Sequence, residues 1–458
     1  MLPKSVLDRF VQRCPAAVMV RATLENLLRP ERLNQIFEDT AQRQYLKTLM
    51  FSDLVALMSA VATRTHQSVH AAYLDAKKTL GVSSTALYGK LNRLEPRISA
   101  TLVHETAADA AEVIDAMPRA RRELLPGFEV QFLDGNHLAA TEHRVTELRR
   151  TRQGPLPGQA LAILDAQRDL ITELVLCEDG HAQERSLLPE LLERIGAKSV
   201  IAADRNFCTT KFLFGLVARQ ANFVIRQHQV TLLWRKLGKR TEIGRTGTGV
   251  LFEQAIELVD VDEDKTLTVR RITVKLDKPT ESGDAEIHIL TNLSVEQATA
   301  EQVAKIYRER WTIEGAFQTL TDVLRCEVET LGYPRAALFS FSIAVVAYNT
   351  HAVVKAALRS VHGVEKVEED VSDYHLMHDV VSTHVGMEIA VDESVWSSYE
   401  SMSAGRLAKE LLGLAGGVQL SRYPKKKRGP KKPQPRKNSG TGSPHIATAR
   451  VLAQSKRR

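Results

Sequence analysis

The hydrophobic period of this chain changes at Pro126-Gly127, and that change restricts the fold to one in which helices cover a sheet. Downstream, residues 128–133 (F-E-V-Q-F-L) alternate and end in Asp134-Gly135. Residues 159–164 and 170–176 are short apolar runs parted by A-Q-R-D, the pattern of a hairpin. Ser199–Ala203 is a buried-type strand ending in Asp204, and Asn222–Arg226 is another. Residues 183–195 and 210–220 lie between these strands and carry helical spacing. The fold class is therefore α/β: a mixed sheet with flanking helices. Upstream, residues 1–123 read as a helical N-terminal region. Leu46, Leu49, Met50, Leu54, Leu57, Met58 and Val61 recur at helical spacing. Residues 82–94 open with serines able to cap a helix and then present Lys90, Asn92 and Arg93. That suits a recognition helix in the major groove, and equally a plain bundle segment.

Residues 230–290 break the alternation. Their β-branched, alternating segments are separated by Gly, Asp and Pro turns, which predicts a β-rich insertion over 229–290 between two α/β passages. After it, Ser294-x-x-Gln297 and Thr299-x-x-Gln302 both have capping-box form.

They lead into residues 305–325, K-I-Y-R-E-R-W-T-I-E-G-A-F-Q-T-L-T-D-V-L-R, read as one helix with two stripes. Ile306, Ile313, Phe317, Leu320 and Leu324 make an apolar face. Tyr307, Arg310, Glu314, Gln318, Thr321 and Arg325 share a neighbouring sector of about 80°. An amphipathic helix with i, i+4 pairs along its margin would look the same.

Charge is unevenly placed. Residues 422–458 hold 13 Lys/Arg and no Asp/Glu, so the net +7 of the chain becomes −6 over residues 1–421. The basic segment is rich in Pro and Gly and reads as a disordered tail that binds phosphates by counterion release. Four scattered cysteines, Cys14, Cys177, Cys208 and Cys326, make no zinc ribbon and fit a reducing compartment. The opening residues M-L-P-K-S-V-L-D-R-F lack the apolar core of a signal peptide. The run A-A-L-F-S-F-S-I-A-V-V-A at residues 336–347 is too short to span a bilayer, so a buried helix and no membrane partner are expected.

Two aspartates share one setting. Asp134 follows V-Q-F-L and Asp204 follows V-I-A-A, each directly past a buried strand. Taken singly, such an Asp is more often a turn or cap residue. Together with a carboxylate from a packed helix, here Glu314, they would converge and repel unless a hard cation such as Mg²⁺ or Mn²⁺ neutralised them. Two such ions activate a water or a 3′-hydroxyl and stabilise the leaving oxygen of a phosphodiester.

Asp134-Gly135, the run Asp204-Arg205-Asn206-Phe207, and Y-x2-R-W-x2-E-x2-F starting at Tyr307 resemble the three motifs of DDE transposases. The similarity is to the insertion-sequence-four family, with its Y-x2-R-x3-E-x6-K signature, and covers roughly residues 45–355. The resemblance implies an RNase H-like catalytic domain in two parts, residues 124–228 and 291–360, with a C-terminal helical region at 361–421. It implies that Asp134, Asp204 and Glu314 bind two Mg²⁺, Mn²⁺ being able to substitute, and that Tyr307 and Arg310 contact DNA. Cut-and-paste transposition is the activity implied, with transposon terminal inverted repeats and target DNA as partners. A homodimer in the DNA complex and a bacterial cytoplasmic, nucleoid-associated location are also implied. Relatives stack an aromatic on a flipped base; Trp234 and Trp311 are the candidates. The signature's last Lys falls at Thr321, and Arg325, one turn later, is the substitute phosphate contact expected here. Two other readings stay open: a catalytically silent transposase-derived DNA-binding protein, and a metal-dependent nuclease without strand transfer.

Overall fold

The computed structural model describes residues 4–44, 48–228, 230, 232–280, 283–425 and 445–456. Among these, the first seven helices are Lys4–Arg13, Pro15–Leu27, Pro30–Thr40, Phe51–Ala62, Val69–Leu80, Ser84–Leu91 and Pro96–Asp115, as the helical pattern predicts. Proline opens three of them, where its fixed φ suits the first turn and its missing N–H costs nothing. Ser83 caps the short Ser84–Leu91 helix, its hydroxyl accepting from the Ala86 amide.

The sheet begins with β1 (Glu129–His137), followed by β2 (Gly154–Leu156), β3 (Gln159–Asp165), β4 (Leu170–Cys177), β5 (Ser199–Ala203) and β6 (Asn222–Arg226). Next come β7 (Leu233–Lys236), β8 (Thr241–Thr246), β9 (Gly249–Asp260), β10 (Lys265–Leu276) and β11 (Glu286–Thr291). The spatial order is β4-β3-β1-β5-β6-β11-β10-β9-β7, with β8 also on β9. β1, β5 and β6 run parallel, β3 is antiparallel to β1, and β4, antiparallel to β3, runs in the direction of β1 again. The β3–β4 hairpin turns where expected, with Asp169 at φ +59 in the left-handed region that Asp tolerates.

The β-rich passage is a continuation of this sheet. β11 pairs antiparallel with β6 through Thr291↔Val224, and the long β9–β10 hairpin extends the same ladder. Edge pairing to β6 satisfies backbone groups that a separate module would have to satisfy alone.

Helix Pro334–His362 forms the spine of the covering layer. It is the one helix among the described residues long and apolar enough to cross a membrane, but 94% of its most apolar window is buried within the protein. Its first half packs with helix Phe51–Ala62 and the sheet, and its second half with helices Pro15–Leu27 and Ala404–Ala415. Helix Pro15–Leu27, the end of helix Pro96–Asp115 and the region 361–421 thus share one core.

The basic segment departs from the expected free tail. Tyr423 is buried, Pro424 bridges to Val371, and the chain returns as β12 (His445–Ala447), parallel to β2, followed by helix Thr448–Ser455. Ile446 and Ala447 find a strand to pair with, which composition alone does not reveal. Residues 426–444, where most of the clustered cations fall, lie outside the described residues.

Candidate active site

The parallel ladder between β1 and β5 ends at Leu133↔Ala203. Asp134 and Asp204 are the next residue on each strand, side by side at the carboxyl ends of two neighbouring parallel strands. β1 itself runs on past Asp134 to His137 along β3, so the expected strand end at Leu133 holds on the β5 side only. β5 does stop, and Asp204 starts a 3-10 turn over Arg205–Phe207.

The single helix expected over 305–325 is two helices. Ala300–Glu309 carries Tyr307, and Thr312–Asp322 carries Glu314. Arg310 and Trp311 between them keep right-handed helical torsions, but the amides of Arg310 and Ile313 bond three residues back, to Tyr307 and Arg310. The Thr312 hydroxyl donates to the Glu309 carbonyl at 2.7 Å, which draws that carbonyl away from the regular ladder. The result is a kink. The apolar stripe holds across it, with Ile306, Ile313, Phe317, Leu320 and Leu324 all buried.

The kink delivers Arg310 to the sheet. Only 4% exposed, Arg310 donates through Nη1 to Asp134 Oδ2 at 3.1 Å, and its Nη2 lies 3.3 Å from Glu314 Oε1. Tyr307, also buried, donates its hydroxyl to Asp204 Oδ1 at 3.2 Å. Two carboxylates are thus linked through a guanidinium and the third is held by a phenol. Among the described residues no three His, Cys, Asp or Glu side chains stand close enough together to hold a metal.

Electrostatics follow from this packing. Burial pushes the Asp134 carboxyl up to about 6; Arg310 and the Gly135 amide oppose the shift, while Glu314 and Glu184 add to it. The Tyr307 phenol is pushed up to about 12 by burial and then by Asp204, so it remains a donor at neutral pH. At the end of β6, burial works against the charge of Arg226, but a hydrogen bond to Asp284 and the nearby Tyr307 and Asp204 raise its pKa.

Two sequence-derived candidates sit apart from this cluster. Arg325 lies beyond the helix end at Asp322, so the sector that grouped it with Glu314 does not reach it. Its amide donates to the Ala62 carbonyl and its guanidinium to Gln67, at the junction with the N-terminal helices. Thr321 turns its hydroxyl back to the Phe317 carbonyl at 3.1 Å. Of the two tryptophans, Trp311 is 63% exposed beside Arg310, whereas Trp234 is partly buried with the Arg271 guanidinium 4.9 Å from its ring.

One acidic residue escaped the sequence reading. Glu184 opens the 3-10 turn Glu184–Leu187 and reaches the strand at Gly135, where an added Cβ would stand 2.6 Å from its carboxyl carbon. Asn206, two residues past Asp204, donates to Glu184 Oε2. The only local sign is the glycine after Asp134, which marks a close approach.

No curated protein matches the chain. Among solved structures it is similar to a piggyBac transposase synaptic complex with hairpin DNA, at 11% identity and a TM-score of 0.37, with 92% of this chain and 88% of that chain covered. A likeness at that level carries no argument. Residues 128–350, the span that holds Asp134, Asp204, Tyr307, Arg310 and Glu314, match the family model described as the transposase DDE domain, and that match supports a DDE transposase.

Proposed function

We propose that this protein is a DNA transposase that cleaves at transposon ends and joins the freed ends to target DNA. The observation that carries the reading is the placement of Asp134 and Asp204 one residue past the last paired positions of adjacent parallel strands, with Glu314 joined to Asp134 through Arg310. The strand order β4-β3-β1-β5-β6, in which β3 alone runs against the other four, supports an RNase H-like core for this chemistry. Residues 1–123 are proposed as the DNA-binding helical region. The partners proposed are the terminal inverted repeats and target DNA, engaged by a homodimer in a bacterial cytoplasm.

The donor set fits a hard divalent cation. Asp134, Asp204 and Glu314 offer oxygen only, the donor type such an ion takes, and the buried Arg310 guanidinium meets the charge of two of them. When bound, two Mg²⁺ or Mn²⁺ ions supply activation of the attacking oxygen and stabilisation of the leaving one. The protein's own part is to hold Asp134 and Asp204 rigidly on the sheet and Glu314 on a helix docked by its apolar stripe. Tyr307, protonated at neutral pH, orients Asp204 through its hydrogen bond. Arg310 holds Asp134 and Glu314 together and offers its remaining donors to a phosphate oxygen. Arg325 contacts the DNA backbone from the junction with the N-terminal helices, and exposed Trp311 stacks on an unpaired base.

The same Arg310 bridge favours a second reading, a transposase-derived DNA-binding protein that no longer cleaves, because a guanidinium already answers part of the carboxylate charge. One experiment separates the two. A duplex carrying the DNA that flanks the reading frame is incubated with the protein and Mg²⁺. End cleavage that is lost in Asp134→Ala, Asp204→Ala and Glu314→Ala, each still binding the duplex, supports the transposase. Binding without cleavage by the wild-type chain supports the silent form.

A further inference from the structure

Lys90 and Arg93, three residues apart, put their charges to different uses. Lys90 holds its ammonium 4.6 Å from the centre of the Phe37 ring, and Phe37 is buried in the core. Leu87 and Leu91 are buried as well, so the Ser84–Leu91 helix commits its one cation to packing and keeps none for a major groove. Just past that helix, Asn92 and Arg93 line a groove of about 720 Å³. Its other walls carry Arg43, Tyr333 and Arg335 at the start of the spine helix, and Lys456 at the end of the last helix, Thr448–Ser455. The acids in it are Glu147 and Glu178, and Arg335 Nε takes up Glu178 at 2.9 Å. Arg43, Arg93 and Lys456 are exposed and make no ion pair among the described residues. Four cations to two acids runs against the net −6 of residues 1–421. Two of the guanidiniums are also held in place: Arg93 Nε donates to the Gly89 carbonyl at 2.8 Å, and Arg335 Nη1 to the Arg93 carbonyl at 3.3 Å. Fixing a long cationic side chain costs rotamer entropy that a merely solvated charge does not bear. The Asn92 amide and the hydroxyl of half-exposed Tyr333 add neutral donors of the kind that meet phosphate and sugar oxygens.

We infer that this groove holds the sugar-phosphate backbone of double-stranded DNA, bound without regard to sequence, with Arg43, Arg93 and Lys456 as its phosphate contacts. The inference rests on the transposase reading proposed above for its partner and goes beyond it in place, since Tyr333, Arg335 and Lys456 lie outside residues 1–123. Guanidinium and ammonium groups neutralise phosphates and release the counterions condensed on them. Such contacts fix the position and orientation of a duplex and leave its sequence to other groups. The turn after the Ser84–Leu91 helix is then a backbone clamp, not part of a base-reading helix.

The test is duplex binding by the full chain in chelator, where nothing is cut, read by fluorescence anisotropy across a salt series. Two duplexes are compared, one carrying the DNA that flanks the reading frame and one of equal length and scrambled sequence. Arg43→Gln combined with Arg93→Gln is expected to reduce the steepness of log K against log salt by about 2, one phosphate being given up at each position. Affinity for the two duplexes should fall by the same factor. Arg43→Lys with Arg93→Lys keeps both charges and should stay near the wild-type slope. Arg406→Gln with Lys409→Gln removes the same charge from exposed positions on helix Ala404–Ala415, which does not line the groove, and should leave the slope unchanged. An equal fall in that control, an unchanged slope in the groove variant, or a loss confined to the flanking-DNA duplex overturns the inference and leaves the transposase reading standing. A wild-type chain that binds neither duplex removes both. If the double glutamine variant unfolds, Lys456→Gln takes its place, with an expected fall of about 1 in steepness; no fall there overturns the groove.

Discussion

Arg310 Nη1 lies 3.1 Å from Asp134 Oδ2, at the strand end where the covering helix kinks. The guanidinium is buried, and a buried cation persists only against compensating charge. Removing it leaves Asp134 and Glu314 facing each other with nothing between them. Arg310→Ala should therefore lose about 3 kcal/mol of unfolding free energy in chelator, the scale for breaking a buried pair. Added Mn²⁺ should restore part of that loss. Urea titrations with and without the ion measure both; equal stability of the variant and wild type in chelator would mean the bridge does not hold the site together.

The Tyr307–Asp204 contact gives a cleaner probe, because Tyr307→Phe deletes one hydroxyl and leaves the ring. A hydrogen bond to a charged acceptor is worth about 1.5–3 kcal/mol, and the expected loss of stability sits at the lower end because Asp204 is not fully buried. DNA end cleavage should fall about tenfold as Asp204 loses its orientation. Cleavage at the wild-type rate would show that the strand end alone positions the carboxylate.

The place of Asp204 at a strand end was legible because a continuous apolar run stops directly before it. The docking of the helix that carries Glu314 was legible from its apolar stripe. The kink was not, since Arg310 and Trp311 keep helical torsions and no Pro or Gly marks the site; its cause is a hydroxyl at Thr312 choosing the Glu309 carbonyl. Arg325 was misplaced for the same reason: counting at 100° per residue assumes a helix that has already ended at Asp322. The continuity of β11 with β6 and the return of β12 to β2 are pairings between distant segments, and those leave no local trace. Glu184 belongs to that class as well, with only Gly135 hinting at it.

Arg325 remains a testable DNA contact despite its distance from the helix. Its guanidinium is anchored by Gln67 at the foot of the N-terminal helices, a region proposed to hold the duplex. If it neutralises one phosphate, Arg325→Ala should weaken end binding and reduce the slope of log K against log salt by about 1. Filter binding across a salt series measures that slope. An unchanged slope would make Arg325 a structural tie between the Asp322 helix end and Gln67.

Glu25 predicts how the helical lobe responds to pH. Burial pushes its carboxyl up to about 7; Arg21 opposes this, and Glu393 and Glu400 add to it. Arg21 also reaches Glu388 at 3.1 Å and Glu393 at 2.6 Å, so one cation serves several acids that join helix Pro15–Leu27 to helix Asp373–Ala390 and the turn after it. A folded pKa above the unfolded one gives a contribution fully present below about 4.5 and lost as the pH rises through about 7. Glu25→Gln mimics the protonated form. It should melt higher than wild type at pH 8.5 and match it at pH 5; a constant offset between the two would rule out titration of Glu25 as the cause.

Asp169 ties the β3–β4 turn to the spine helix. Its carboxylate is bonded by the fully buried Arg359, which also donates to Glu368 at 2.7 Å, and Lys355 lies 3.5 Å away. Burial works against the charge of Asp169, yet Arg359, Lys355 and Arg122 together hold its carboxyl well below the usual range. Asp169→Asn keeps a residue type that accepts the left-handed torsion at φ +59 but removes the charge. Glu368 is then the main acidic partner for Arg359 in the interior. The expected loss is about 3–5 kcal/mol at neutral pH, the scale for leaving a buried charge uncompensated. Because the folded pKa is depressed, the contribution is fully present above about 4 and is lost as the pH falls from there through the much lower folded pKa, so the gap between variant and wild type should narrow only in strong acid. Urea midpoints at about pH 7 and about pH 2 measure this; equal midpoints at neutral pH would show that Glu368 alone compensates Arg359.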